Sequence, residues 1–208
     1  MARSKKITHF DKNVFINCPF DEDYLPLLKV ILYVISKIGL TPRIASERND
    51  SGEVRLSKIK ELIQESKYSI HDLSRAKSSS GNEYFRLNMP FELGIDYGCK
   101  QYHSKKIYRT KKFLIFEGEK DSMRHALSDM AGTDCRSHKN DAEMIVTEIR
   151  NWLSGDIEDL LPPSVLWDDY MIFYTDFYAH YRKKKFQHEE INRLPLPEFL
   201  RYLKKNIA

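Results

Sequence analysis

The chain has 208 residues, 41% hydrophobic and 12% aromatic, which allows one substantial core and a helical appendage. A formal charge of +4 in a chain that is 31% charged suits a phosphate-bearing ligand but is too small an excess to argue for nucleic acid. Cys18, Cys99 and Cys135 are far apart and form no Cys-x-x-Cys pair, which argues against a disulfide framework and a zinc site.

Residues 1–12 read as a basic tail. Met1 to Lys6 is followed by His9, Phe10 and Asp11 in place of an apolar run, so a signal peptide is not expected. Asn13 to Asn17 reads as a short buried strand. Behind acidic Asp21, Glu22 and Asp23, the residues Leu25, Leu28, Ile31, Leu32, Ile35 and Ile38 recur at helical spacing up to Gly39. Lys29 and Lys37 interrupt that segment, no longer apolar run exists, and a soluble cytoplasmic protein without a membrane partner is expected. Thr41 to Ala45 suits a second strand and Ser46 to Glu53 a polar loop. Leu56, Ile59, Leu62 and Ile63 mark a second amphipathic helix. A third strand runs to Asp72, and a polar stretch spans Ser74 to Asn88. A helix carrying Glu92 and an apolar strand at Phe113 to Phe116 follow. A weaker helix around Ser122 to Met130, an edge strand near Cys135 and a helix over Ala142 to Leu153 complete an α/β unit at residues 13–161.

Leu161-Pro162-Pro163 breaks the pattern and opens a helical extension at residues 162–208. Trp167, Tyr170, Phe173, Tyr174, Phe177, Tyr178 and Tyr181 form an aromatic stripe that packs on the main unit or on a second subunit, and a last helix starts near Pro197.

Alternating strands and helices imply a mostly parallel sheet covered on both faces, with its ligand crevice at the carboxyl ends of the strands. That rule gathers Asn17, Asp21, the Glu47 to Glu53 loop, Asp72, Ser74, Arg75 and Glu92 on one rim. In Asn88-Met89-Pro90-Phe91-Glu92-Leu93-Gly94, proline suits a first helical turn. Glu92 is therefore expected in that turn, where the helix dipole favours its ionised form. An ionised carboxylate there either complements the dipole or stabilises or attacks a sugar cation. Asp72 and Ser74 can bind ribose hydroxyls or a base edge, Asn17 and Asp21 reach from the first loop, and Asn88 stands at the helix opening. Arg43, Arg48, Arg55 and Arg75 are phosphate candidates, Arg75 the best placed. His71 should face away from Asp72 and reads as a core histidine.

No Gly-x-Gly-x-x-Gly, Walker, Gly-x-Ser-x-Gly or His-Glu-x-x-His motif is present, so carboxylate chemistry remains. The order of Val14-Phe15-Ile16-Asn17, the acidic helix start at Asp21 to Asp23, Gly39-Leu40, the Asp50, Gly52 and Glu53 loop, Ser66 to Ile70 and Phe91 to Gly94 resembles a TIR-like domain over Val14 to Leu153. The Glu92 segment also looks like that of nucleoside 2-deoxyribosyltransferases. The resemblance implies a flavodoxin-like fold and a glycosidic-bond enzyme with Glu92 as catalytic glutamate. It further implies NAD as substrate in place of a cofactor, with nucleosides or nucleotides as the alternative. A homo-oligomer, an activating protein or nucleotide signal and a role in bacterial defence come with it, while some relatives act as adaptors without turnover. Pro90-Phe91 departs from the Trp-Cys that often precedes the TIR glutamate.

Overall fold

A computed structural model describes residues 9–47, 50, 52–75, 87–122, 127–130 and 132–207. Five strands, β1 (Asn13–Asn17), β2 (Thr41–Ile44), β3 (Tyr68–Asp72), β4 (Lys112–Glu117) and β5 (Arg136–Ser137), form one sheet in the order β2-β1-β3-β4-β5. Every pairing is parallel. This is the flavodoxin-like α/β order, whose strand sequence reverses between β1 and β3 and opens a crevice there at their carboxyl ends. All five residues of β1 and all five of β3 are buried, as strands covered on both faces require.

Strand alternation sorts the side chains between two layers. Val14, Ile16, Ile70, Leu114 and Phe116 face α1 (Leu25–Lys37) and α4 (Ala142–Leu153), while Phe15 faces α2 (Arg55–Gln64) and α3 (Asn88–Tyr102). Gly39, with φ +86°, closes α1, a left-handed conformation that glycine adopts without a Cβ penalty.

The aromatic stripe lies on α5 (Pro163–Lys183), where Leu166, Tyr170, Phe173, Phe177 and Tyr181 are buried in the same core as Leu28, Ile31 and Ile35 of α1. Phe199 and Leu203 of α7 (Leu196–Asn206) join that core, so residues 162–207 share their packing with the sheet domain. The buried Lys29 ammonium of α1 donates to Asn192 O at 3.1 Å, closing the contact. The short helix α6 (His188–Asn192) was not anticipated, although Gln187 N donates to Glu190 Oε2 at 2.6 Å in a capping arrangement that Gln-x-x-Glu can form. Of the weaker helix around Ser122 to Met130, the described residues contain a single 3-10 turn at Ser128–Met130. Among the described residues no helix is long and apolar enough to cross a membrane.

Candidate active site

Four residues of α3, Met89, Glu92, Leu93 and Asp96, are buried at the i, i+3, i+4, i+7 spacing of a core-facing stripe. Two of the four are carboxylates, and both are withdrawn from water. The helix begins at Asn88, so Asn88-Met89-Pro90 make its opening and Glu92 belongs to the second turn, not to the first. Aligned dipoles at the helix end therefore give it little help, because their effect fades beyond that turn. Burial pushes the Glu92 carboxyl above its ordinary 4.5, and the Arg55 guanidinium opposes that rise.

Arg55 opens α2, and its Nη2 lies 3.6 Å from Glu92 Oε1, with the Arg55 side chain 59% exposed and that of Glu92 only 7%. The same guanidinium stands 5.9 Å from the centre of the half-open Phe20 ring, in the turn after β1. Beneath them the buried Cys18 thiol is raised well above its usual value, by burial first and then by Asp72, Glu92 and Asp21. Three segments thus converge where the strand order reverses, bringing together a planar apolar face, an exposed cation and a desolvated carboxylate.

The remaining candidates divide into scaffold and rim. Asn17 is buried, donates from Nδ2 to Met89 O at 2.8 Å and meets His71 Nδ1 at 3.1 Å, which ties the end of β1 to the opening of α3. Asp72 is wholly buried and accepts from Tyr24 Oη and from Ser74 N at 2.8 Å, with His138 Nε2 at 3.1 Å. Burial alone would raise its pKa. The His138, Ser74 and Tyr24 contacts outweigh that and hold the carboxyl below its ordinary 3.8. Asn17 and Asp72 therefore turn inward and shape the crevice from behind. Asp21 and Arg75 pair on the rim at 3.4 Å, Ser74 lies beside them, and Asn88 is exposed at the start of α3. Arg43 is engaged by Glu47 and Glu65, and Arg48 lies outside the described residues.

His71 does face away from Asp72. Its Nε2 lies 3.2 Å from Asp96 Oδ2, which also accepts from Ser69 Oγ at 2.5 Å, while Asp96 Oδ1 lies 3.1 Å from the buried Lys111 ammonium. This interior network was not visible in the sequence, although Asp96 four residues after Glu92 puts a second acid on one helical face. By its residue type alone Arg55 is one of four phosphate candidates. Its pairing with Glu92 joins residues 37 positions apart, which no local pattern encodes.

No protein-family model, curated protein or solved structure matches the chain.

Proposed function

We propose that the protein hydrolyses an N-glycosidic bond of a nucleotide, with the nicotinamide–ribose bond of NAD as leading substrate and Glu92 as the catalytic carboxylate. The observation that carries this reading is the Glu92–Arg55–Phe20 cluster at the topological switch of a flavodoxin-like sheet. Breaking the C–N bond releases neutral nicotinamide and leaves positive charge on the ribose. A carboxylate held out of water beside the anomeric carbon stabilises that charge more strongly than a hydrated one, or attacks it, and water then completes hydrolysis. Arg55 helps to keep Glu92 ionised, and the Phe20 ring offers a flat face to a planar base. Nicotinamide needs no general acid to leave, whereas adenine does, which favours NAD over an ordinary nucleoside. The same cluster also supports a binding module, in which a phosphate competes with Glu92 for Arg55 and no bond breaks.

The deciding measurement is base release from NAD, nucleosides and deoxynucleoside monophosphates by the wild type and Glu92→Gln. Loss of at least about a hundredfold in nicotinamide release, at an unchanged melting temperature, is expected for a catalytic carboxylate. Faster release from nucleosides moves the assignment to a nucleosidase or deoxyribosyltransferase. Saturable NAD binding without release leaves the sensing module, and full activity in Glu92→Gln ends the catalytic assignment.

A further inference from the structure

A depression lies beyond Arg75, whose guanidinium pairs with Asp21 of the loop after β1. It has a volume of about 530 Å3 and is walled by Ser74 and Arg75 after β3, by Gly118, Glu119, Lys120 and Ser122 after β4, and by Lys139 and Asn140 after β5. That volume is in the range of small-molecule sites. Three cations and one anion, Glu119, line it, and Arg75 is partly held by Asp21 at 3.4 Å. Lys120 and Lys139 are exposed and make no ion pair among the described residues.

The walls are built firmly. The buried Glu117 carboxylate accepts from Asp121 N at 2.7 Å and from Ser122 Oγ at 3.4 Å, so it folds the β4 loop around itself. Gly118 O accepts from Ser137 Oγ at 2.8 Å and from Lys139 N at 3.2 Å, which joins the β4 and β5 loops. A Cβ at Gly118 would stand 3.1 Å from Ser74 O, so the β3 and β4 loops approach as closely as glycine permits. Asp121, Lys139 and Asn140 all hold left-handed backbone, at φ +62°, +51° and +58°. Such conformations persist in non-glycine residues where surrounding contacts over-determine them, and they concentrate at ligand sites. The Ser74 hydroxyl in the same wall is buried and has no hydrogen-bond partner among the described residues.

We propose that this crevice binds a phosphoryl group, as a phosphate monoester or a diphosphate, through Arg75, Lys120 and Lys139. Arg75 supplies a planar fork and the lysines supply point charges, a combination suited to a multiply charged oxyanion. Through Asp21 the Arg75 guanidinium connects to the loop that carries Phe20, so a nucleotide can place its phosphates here and its glycosidic bond at Glu92. That orientation rests on the glycosidase reading, whereas phosphoryl binding itself does not.

The test is calorimetric titration of the full chain with inorganic diphosphate at low salt. Lys120→Ala/Lys139→Ala should weaken binding at least about tenfold, while Lys183→Ala/Lys184→Ala, at two exposed positions where α5 ends, should leave it unchanged, and Glu92→Gln should bind like the wild type. Absence of binding to the wild type, or equal affinity in the two double variants, overturns the proposal even if NAD is cleaved. Localised binding in a protein that cleaves no glycoside sustains this proposal and sinks the other. If diphosphate raises the KM for NAD, the crevice holds the substrate's own phosphates. If it binds here and leaves KM unchanged, the ligand is a separate phosphorylated molecule.

Discussion

Lys111→Met removes a wholly buried ammonium without opening a large cavity, because methionine fills much of the same space. Lys111 Nζ donates to Ile63 O at 2.8 Å and to Ser66 O, and lies 3.1 Å from Asp96 Oδ1. Burial pushes its pKa down and Asp96 pulls it back up. The substitution takes donors from two carbonyls and leaves Asp96, among the described residues, with Ser69 and His71. Stripping one partner from a buried ion pair costs about 3–5 kcal/mol, a large part of the roughly 5–15 kcal/mol that hold a domain together. In urea denaturation at pH 7 the midpoint should fall with the slope unchanged, and the melting temperature should drop by about 6–20 °C. Adding Asp96→Asn to the same chain should restore part of the loss, because the amide needs no countercharge. A loss below about 1 kcal/mol in Lys111→Met, or a double variant less stable than the sum of the singles, would refute the view that this pair anchors α3 beneath Glu92.

Arg55→Met removes the group that lowers the Glu92 pKa, so the acid limb of nicotinamide release should move to higher pH, and an unmoved limb would mean that another group titrates. Lys29 has a pKa lowered by burial to about 8, below its ordinary 10.5, so the unfolded chain binds more protons between those values. Its own contribution to stability should therefore grow as pH rises from about 8 to 10.5, so denaturant midpoints measured in parallel should shift in favour of the wild type over Lys29→Met across that range, and a constant difference would refute it. Phe177→Ala, at a wholly buried position between α5, α7 and α1, should cost about 3–5 kcal/mol in urea titration. A cost below about 1 kcal/mol would make the C-terminal helices a loose appendage instead of part of the core.

Periodicity alone determined much of the architecture. The short apolar run of β1, covered on both faces, and the helical spacing of apolar residues in α1 and of aromatic residues in α5 are legible because burial sets run length in a covered strand and a spacing of 3.6 residues on a helix face. The parallel order followed from alternating strands and helices, and with it the rim on which Asp21, Ser74 and Arg75 stand. Tertiary structure decided what each of those residues does. Asp72 and Asn17 are polar residues at strand ends in any reading, yet the first turned toward Tyr24 and His138 and the second toward Met89. Glu92 became a desolvated carboxylate with an exposed cation beside it because α2 and α3 pack on one face of the sheet and bring Arg55 within 3.6 Å. A residue's spacing reports which face it occupies, whereas its charge state and partners depend on chain segments dozens of residues away, and only the packed fold brings those together.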